Sequence, residues 1–354
     1  MIVCDIWAKQ YEHYEFNKKI LDIVSEKNEI EYFGDNEQID MLELKKNIKF
    51  TKIRINKKCK LNEIMSYFYN LILIKKQKDK SIVILNGTPI IVILSRYILR
   101  NRKVYVFLHG LDRVIERKKV INFLFLKMLR KKCKDYKYIV LGENIKQNLT
   151  RIIPKLKERI FSIDHPYSFS KNNKNKIFNN KIRISTCGIT AYEKGLNNIY
   201  EFIDKIESDL EFNHIGKSAV EVQDKYLEYF PYKNELISQE IYKKLIEELD
   251  YILILYPINS YKLTASGVYF DCIKFNKPLL GLRNEYFEYM FKKYGEIGKL
   301  FDSVDEIIEY LRNDRKILIE EQEIFWENME NIRENLNKNV ERDLKRIIYQ
   351  GEEK

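Results

Sequence analysis

Thr264-Ala265-Ser266-Gly267-Val268-Tyr269-Phe270-Asp271-Cys272-Ile273-Lys274-Phe275-Asn276-Lys277-Pro278-Leu279-Leu280 is the stretch that decides the reading of this chain. Small residues make a turn, a short helix follows, and Lys277-Pro278 leads into an apolar strand. A Ser-Gly pair opening a helix leaves its first backbone N–H groups unpaired and pointing outward. The positive end of the helix dipole adds to them, and together they suit a phosphate. Pro278 ends the helix, because it lacks an N–H and clashes with the preceding turn. The segment therefore marks a place for a nucleoside diphosphate.

Outward from there the same grammar recurs. An apolar strand, Tyr251–Leu255, precedes the turn. Further strands are expected at Ile182–Cys187, Glu211–Ile215 and Pro278–Leu282, with helices at Asn197–Ile206, Ser238–Glu248, Gly267–Phe275 and Val304–Arg312. The first half reads alike. Short β-branched runs at Met1–Ile6, Ile30–Phe33, Ile48–Ile55, Ile82–Leu85, Lys103–Leu108, Tyr138–Leu141 and Arg159–Ile163 have the look of strands buried on both faces. Helical patterns separate them at Asn17–Lys27, Leu61–Lys76, Pro89–Leu99, Lys118–Lys132 and Asn144–Ile153. Such alternation predicts two α/β domains, each a parallel sheet covered by helices. The polar, patternless residues 168–181 read as the linker between a first domain, 1–167, and a second, 182–315. The final stretch, Lys316–Tyr349, repeats apolar residues every three or four positions (Phe325, Met329, Ile332, Leu336, Val340, Leu344), so residues 316–354 supply a long helix with one packed face.

A length of 354 residues and 45% hydrophobic content suit two cores. No apolar run approaches the ~18–20 residues that span a bilayer. The N-terminus, Met1-Ile2-Val3-Cys4-Asp5-Ile6, lacks a basic leader and reads as a strand rather than a signal peptide. Five scattered cysteines (Cys4, Cys59, Cys133, Cys187, Cys272) form no CxxC; they point to a reducing cytoplasm and away from structural zinc. The net charge of +11 is uneven: residues 1–180 hold 38 Lys and Arg against 19 Asp and Glu, whereas 181–354 hold 25 against 33. The basic residues crowd between Lys45 and Arg159. A half of that kind is expected to be drawn to anionic lipid or nucleic acid, although Lys-rich codon usage accounts for part of the excess.

In doubly wound domains ligands sit just beyond the strand ends. Four segments satisfy that. Trp7–Asn17 offers Glu12 and His13, either of which can act as a general base or cap the next helix. His109-Gly110-Leu111-Asp112 follows the Lys103–Leu108 strand, with His109 and Asp112 placed to bond a sugar or take a proton from a hydroxyl; Asp112 can equally cap a helix. Gly188-Ile189-Thr190-Ala191-Tyr192-Glu193-Lys194-Gly195 follows Ile182–Cys187 and brings a lysine suited to a diphosphate. The fourth is Ser266-Gly267 itself. GxxxxGK[ST], GxGxxG after a strand, GxSxG and HExxH are all missing from the sequence, which disfavours nucleotide hydrolysis, dehydrogenase, serine-hydrolase and zinc-protease chemistry.

With these residues in place the chain resembles the GT-B glycosyltransferases, particularly bacterial enzymes of cell-surface polysaccharide synthesis. The resemblance rests on Gly188 to Lys194-Gly195, on Phe212-Asn213-His214-Ile215-Gly216-Lys217, and on Asp271 spaced before Asn276-Lys277-Pro278. It also rests on Gly142-Glu143-Asn144 and His165-Pro166. It implies an α/β fold of two Rossmann-like domains facing across a cleft, the first for acceptor and the second for nucleotide sugar, with the last helix crossing back to the first. It further implies transfer of a sugar from a nucleoside-diphosphate donor, a UDP-sugar foremost, to a hydroxyl of a glycan or lipid-linked glycan. The reaction would use no other cofactor, metal or nucleic acid, in the cytoplasm or peripherally at the inner membrane. The donor set is Gly188, Thr190, Tyr192, Lys194, Gly216, Lys217, Thr264, Ala265, Ser266, Gly267, Val268 and Asp271. The acceptor side and the base fall to Glu12, His13, His109 and Asp112. Leu263 stands where the retaining branch with paired glutamates carries an acid, and Ile189 where that branch often carries arginine, so both inversion and retention stay open. A nucleotide-sugar 2-epimerase shares the architecture, and a non-catalytic basic lipid- or nucleic-acid-binding protein would use the first half alone.

Overall fold

The computed structural model describes residues 1–9, 12–26, 29–42, 47–77, 81–117, 119–131, 133–169, 181–235 and 237–349. Gln10, Tyr11, Lys118, Lys132 and residues 170–180 of the expected linker lie outside the described residues. The chain divides into two compact units. One comprises 1–168, 263–265 and 336–354; the other comprises 169–262 and 266–335.

In chain order the first unit holds β1 (Ile2–Cys4), α1 (Tyr14–Ser25), β2 (Ile30–Asp35), α2 (Asn36–Met41), β3 (Ile48–Ile53), α3 (Lys60–Lys76) and β4 (Ile82–Ile84). There follow α4 (Pro89–Ile98), β5 (Val104–Phe107), α5 (Asp112–Glu116), α6 (Val120–Arg130), β6 (Tyr136–Leu141), α7 (Glu143–Ile152) and β7 (Ile160–Ile163). Seven strands form one sheet in the order β3-β2-β1-β4-β5-β6-β7, and every pairing is parallel. The chain runs outward one way from β1 and the other way from β4. With right-handed crossovers that puts α1 and α2 on one face and α3, α4, α6 and α7 on the other. The second layer is sealed by Tyr67, Leu71 and Ile74 of α3, Ile91 and Val92 of α4, and Phe125 and Leu129 of α6, all buried against the strands. On the α1 side lie residues of the last helix: Tyr105 Oη donates to the Ile348 carbonyl at 3.0 Å, Tyr349 Oη to the Val24 carbonyl at 3.2 Å, and Lys345 pairs with Glu26 at 2.7 Å.

The second unit holds β8 (Ile182–Cys187), α8 (Leu196–Asp204), β9 (Leu210–Ile215), α9 (Gln239–Glu247), β10 (Tyr251–Ile254), α10 (Gly267–Phe275), β11 (Leu279–Leu282) and α11 (Glu285–Tyr294). It ends with β12 (Gly298–Phe301), α12 (Val304–Leu311) and the start of α13 (Arg315–Tyr349). Its five strands run in the order β12-β11-β10-β8-β9, again all parallel. Lys277 belongs to the scaffold. It is buried and donates to the carbonyls of Glu247 at 2.8 Å and Leu249 at 2.5 Å, which closes the C-terminal end of α9. Burial lowers its ammonium to about 8, with Asp250 opposing the shift. Arg333 of α13 holds the neighbouring corner by donating to Asn276 Oδ1.

Five elements depart from the expectations of the sequence. β12 is an edge strand, Gly-Lys-Leu-Phe, only partly buried, and so lacks the apolar run that marks the others. α11 is rich in aromatics with weak helix propensity, yet its ends carry ordinary punctuation: Asn284 Oδ1 accepts from the amides of Tyr286 and Phe287, and Gly295 follows the last residue. α2 and α5 have only six and five residues, too few for periodicity to show. β1 is also shorter than expected: Asp5 N still donates to Phe33 O at 3.0 Å, but the Asp5 carboxylate accepts from the amides of Trp7 and Ala8 and turns the chain there.

Candidate functional site

The second unit concentrates its polar groups at one end of the sheet, where β8 and β10 lie side by side and the chain departs in opposite directions. Gly188 leaves β8 with φ +90 and Gly216 leaves β9 with φ +150. A Cβ on Gly216 would run into the Gly188 carbonyl, so the two turns close backbone on backbone. Pairing continues beyond the strands: Gly188 N donates to Ile215 O at 2.9 Å, and Thr190 N to Lys217 O at 3.0 Å. Gly195 has φ +84, and any Cβ there would strike the Leu255 carbonyl, so the start of α8 is pressed onto the end of β10.

These contacts form a recess lined by Thr186, Cys187, Thr190, Lys194, His214, Tyr256 and Val268. Two of its polar atoms are buried without a partner, Thr190 Oγ1 and His214 Nε2, in side chains 3% and 1% exposed. A buried, unpaired polar group costs roughly 1–3 kcal/mol, so each is a group waiting for a bond. His214 Nδ1 lies 2.9 Å from the Thr186 hydroxyl. Desolvation lowers its imidazole to about 4; the nearby backbone of Lys217 and Gly188 opposes that shift, but no well-formed bond reaches Nε2. The ring is neutral at pH 7, and where Thr186 donates to Nδ1 the proton sits on Nε2, near the backbone of Lys217 and Gly188.

The helix α10 completes the group. Ser266 Oγ accepts from Tyr269 N at 3.4 Å and so caps the helix, as its residue type permits. The amides of Gly267 and Val268 make no hydrogen bond among the described residues. A Cβ on Gly267 would meet nothing within 4 Å. The mouth of α10 is therefore open, with two free N–H donors, and Val268 lines the recess together with Thr190, His214 and Lys194. An anion with several acceptor oxygens matches that set. Asp271, one turn further, accepts from Tyr242 Oη at 2.8 Å. Cys187 is held as a thiol, its pKa pushed well up by burial and by Asp271. Tyr192 stands exposed, and Lys217 lends its carbonyl to the loop pairing.

The first unit gathers a second group at its own reversal point, between β1 and β4. His13 adopts a left-handed backbone, φ 57, immediately before α1, and its side chain makes no capping bond. Its ring instead lies 3.3 Å from Asn86 Nδ2 and packs at 4.8 Å from His109 and 5.3 Å from Trp7. Phe16 sits edge-on to His109 at 4.7 Å and to His165 at 5.5 Å. Residues from the ends of β1, β5 and β7 thus converge. His109 Nε2 donates to the Leu85 carbonyl at 2.9 Å, and His165 Nδ1 donates to Pro166 O at 2.8 Å. All three imidazoles are lowered, chiefly by burial: His109 well below its ordinary value and His165 to about 4. Only for His13 do carboxylates, Asp5 and Glu12, pull the other way.

The remaining candidates are engaged in contacts of their own. Glu12 accepts from Lys9 N at 2.9 Å and pairs with Lys57 at 2.5 Å. Asp112 Oδ1 accepts from Leu263 N at 2.9 Å, which ties residues 263–265 to the first unit. Thr264 and Ala265 group with the first unit, and Ala265 packs against its core. Sequence reasoning missed His214 and Thr186 as site residues. They read as the inside of ordinary strands, and only the register Thr186↔His214 joins them.

Two all-parallel sheets of seven and five strands with a long terminal helix define the GT-B class of folds. No protein-family model and no curated protein matches the chain. Solved structures do. Sucrose-phosphate synthase from Thermosynechococcus elongatus superposes with TM-score 0.68 at 10% identity over 99% of this chain and 98% of that one. WaaG, a glycosyltransferase of lipopolysaccharide biosynthesis, gives 0.64 at 12% over 98% and 99%. Anabaena Alr3699/HepE in complex with UDP-glucose gives 0.63 at 10% over 96% and 95%. At such identities the likeness establishes the fold: the chain is a GT-B protein.

Proposed function

We propose that the chain is a glycosyltransferase that moves a sugar from a nucleoside-diphosphate donor to a hydroxyl of a glycan acceptor. One observation carries the reading. The mouth of α10 keeps the amides of Gly267 and Val268 free, and Val268 lines the same recess as the unpaired Thr190 hydroxyl, His214 and Lys194. Donors fixed in that way stabilise the negative charge that grows on the leaving diphosphate as the sugar–phosphate bond breaks, and each is worth about 3–4 kcal/mol in such settings. Two neighbours of the same fold were solved with uridine nucleotide sugars or an analogue, so a UDP-sugar is the first donor to try.

On the acceptor side the reading assigns His13 and His109 to bond the incoming hydroxyl or the transferred sugar. The left-handed backbone at His13 and the ring's contacts with Asn86 and Trp7 hold it in place, and Asp112 serves the loop it clasps. Burial lowers the His13 imidazole, against the pull of Asp5 and Glu12, so the ring is neutral and free to accept a proton from the incoming hydroxyl.

The test is a thermal-shift screen with UDP, GDP, CMP and dTDP, followed by incubation with the stabilising sugar nucleotide. A ligand that binds only the folded state raises the melting point with its concentration. We expect one diphosphate to do so, with slow hydrolysis of its sugar nucleotide in the absence of acceptor. If none of the four shifts the transition at millimolar concentration, the proposal fails; epimerised sugar in the donor-only reaction would replace it with the epimerase.

A further inference from the structure

The helices α3, α4 and α6 lie side by side on one face of the first sheet, with α4 packed against both neighbours. Their outward sides point the same way, away from the strands. On an ordinary helix layer that side is polar. Here it is not. The outward stripe of α3 is Leu61, Met65, Phe68 and Tyr69, at i, i+4, i+7 and i+8, between 42% and 69% exposed. α6 presents Val120, Phe123 and Leu124, at 77%, 61% and 42%, and α4 adds Tyr97 at 68%. Most of the large exposed apolar side chains of the first unit fall on this one surface, which makes it a patch and not scatter.

The charges around it have one sign. The three helices carry Lys60, Lys75, Lys76, Arg96, Lys127 and Arg130 against a single acid, Glu63, which is itself bonded to Lys60 and Tyr67. Lys127 continues the α6 stripe one turn beyond Leu124, and Lys119 and Lys131 stand exposed at the two ends of that helix. Apolar residues pointing out and flanked by cations are the arrangement by which a folded surface lies on an anionic bilayer: the rings and aliphatic chains enter the interface while the lysines meet phosphate headgroups. Among the described residues no helix is long and apolar enough to cross a membrane, so the contact is peripheral.

We infer that the α3–α4–α6 face of the first unit is a docking surface for an anionic lipid bilayer, with α6 as its main insertion element. The inference does not rest on the transfer reaction, and its test uses no nucleotide. The full chain is sedimented with vesicles of equal parts phosphatidylglycerol and phosphatidylcholine, and with vesicles of phosphatidylcholine alone. Binding is expected to the first and to be at least tenfold weaker to the second, and to weaken between 50 and 500 mM salt. The triple change Val120→Ser, Phe123→Ser, Leu124→Ser should cut binding at least tenfold, and Lys127→Glu with Lys131→Glu should do the same. All five positions are exposed, so their melting points report directly that the fold is kept. Ile241→Ser, at an exposed apolar position on α9 of the second unit, should leave binding unchanged. Absence of binding to phosphatidylglycerol vesicles at 50 mM salt overturns the inference. So does equal binding by the triple-serine chain, or a wild-type dimer in light scattering that the same triple change converts to monomer. Donor binding by the second unit, measured in parallel, is independent of the vesicle result, so membrane docking and sugar transfer stand or fall separately.

Discussion

Gly267→Ala separates a ligand role from a folding role more cleanly than any other single change in this chain. Gly267 is the first residue of α10, its φ is not in the left-handed region, and a Cβ placed on it meets no atom within 4 Å. Nothing in the fold therefore requires glycine there. Alanine is the better helix former by up to about 1 kcal/mol, and it narrows the unfolded ensemble by a further few tenths. The variant should be as stable as the parent or more so, by roughly 0.5–1 kcal/mol, which for a unit of this size lifts the melting point by about 1–4 °C. The Cα–Cβ bond in a helix tilts toward the N-terminus, so the new methyl stands in the mouth itself, over the free amides of Gly267 and Val268. An anion oxygen at hydrogen-bond distance from those amides is displaced by about an ångström. One or two charge-assisted bonds at roughly 1.5–3 kcal/mol each are weakened or lost, a rise of about 10- to 100-fold in Kd. Titration calorimetry with UDP on both proteins, beside their melting curves, reads both halves of the argument. A variant that is at least as stable and binds UDP with unchanged affinity would refute it, because glycine would then have no work at that position in either state.

Other substitutions test the remaining parts. Lys194→Ala should raise the donor KM or lower turnover at least tenfold while the melting curve stays intact; unaltered turnover removes Lys194 from the site. Gly195→Ala should destabilise by more than about 2 kcal/mol, since it combines a left-handed backbone with a collision against the Leu255 carbonyl; a drop of under about 0.5 kcal/mol in urea unfolding contradicts the close approach of α8 to β10. His214 and His165 set an acid limit. Each has a folded pKa of about 4 against 6.5 in the unfolded chain, so the unfolded state takes up protons first as the pH falls. The stability is fully present above pH 6.5 and is lost progressively down to pH 4, by up to about 3 kcal/mol for each ring. Denaturant midpoints measured at half-unit steps should slope downward across that window. His214→Asn should flatten the slope, and an identical slope in the variant would show that other groups cause it.

Much of the fold was legible because strands buried on both faces leave unbroken apolar runs. Ile82–Ile84 and Val104–Phe107 need no context to be read. β12 shows the complementary case: at a sheet edge one side of Gly298-Lys299-Leu300-Phe301 faces away from the core, and the apolar signal disappears. The helix mouth at Ser266-Gly267 was legible for a local reason, since a cap and the amides it leaves free lie within four residues. His13 was found as a residue but not as a geometry. No sequence signal announces that its backbone turns left-handed and sends the ring to Asn86, 73 positions away. His214 was passed over because in sequence it stands between Asn213 and Ile215 as one more member of a strand.

Both failures have the same origin, and it is topological. In an open parallel sheet the crossovers reverse direction once, at β1/β4 in the first unit and at β8/β10 in the second, and there the covering helices part to opposite faces. The loops that meet at such a point belong to strands that are neighbours in space and distant in sequence. His13 follows β1 and Asn86 follows β4; Gly188 and Thr190 follow β8, and Tyr256 follows β10. A motif read in a window of ten residues recovers one half of such a meeting, as it did with Gly188–Gly195 and with Ser266-Gly267. The other half is fixed by strand order and register, which the chain encodes only through the length and burial of every element between. Residues that complete a switch-point site are therefore better sought by first settling strand order and then asking which polar residues sit on, or just beyond, the two central strands and their partners. Applied to this chain that rule selects Asn86, Thr186, His214 and Tyr256, three of which line the recess beside α10.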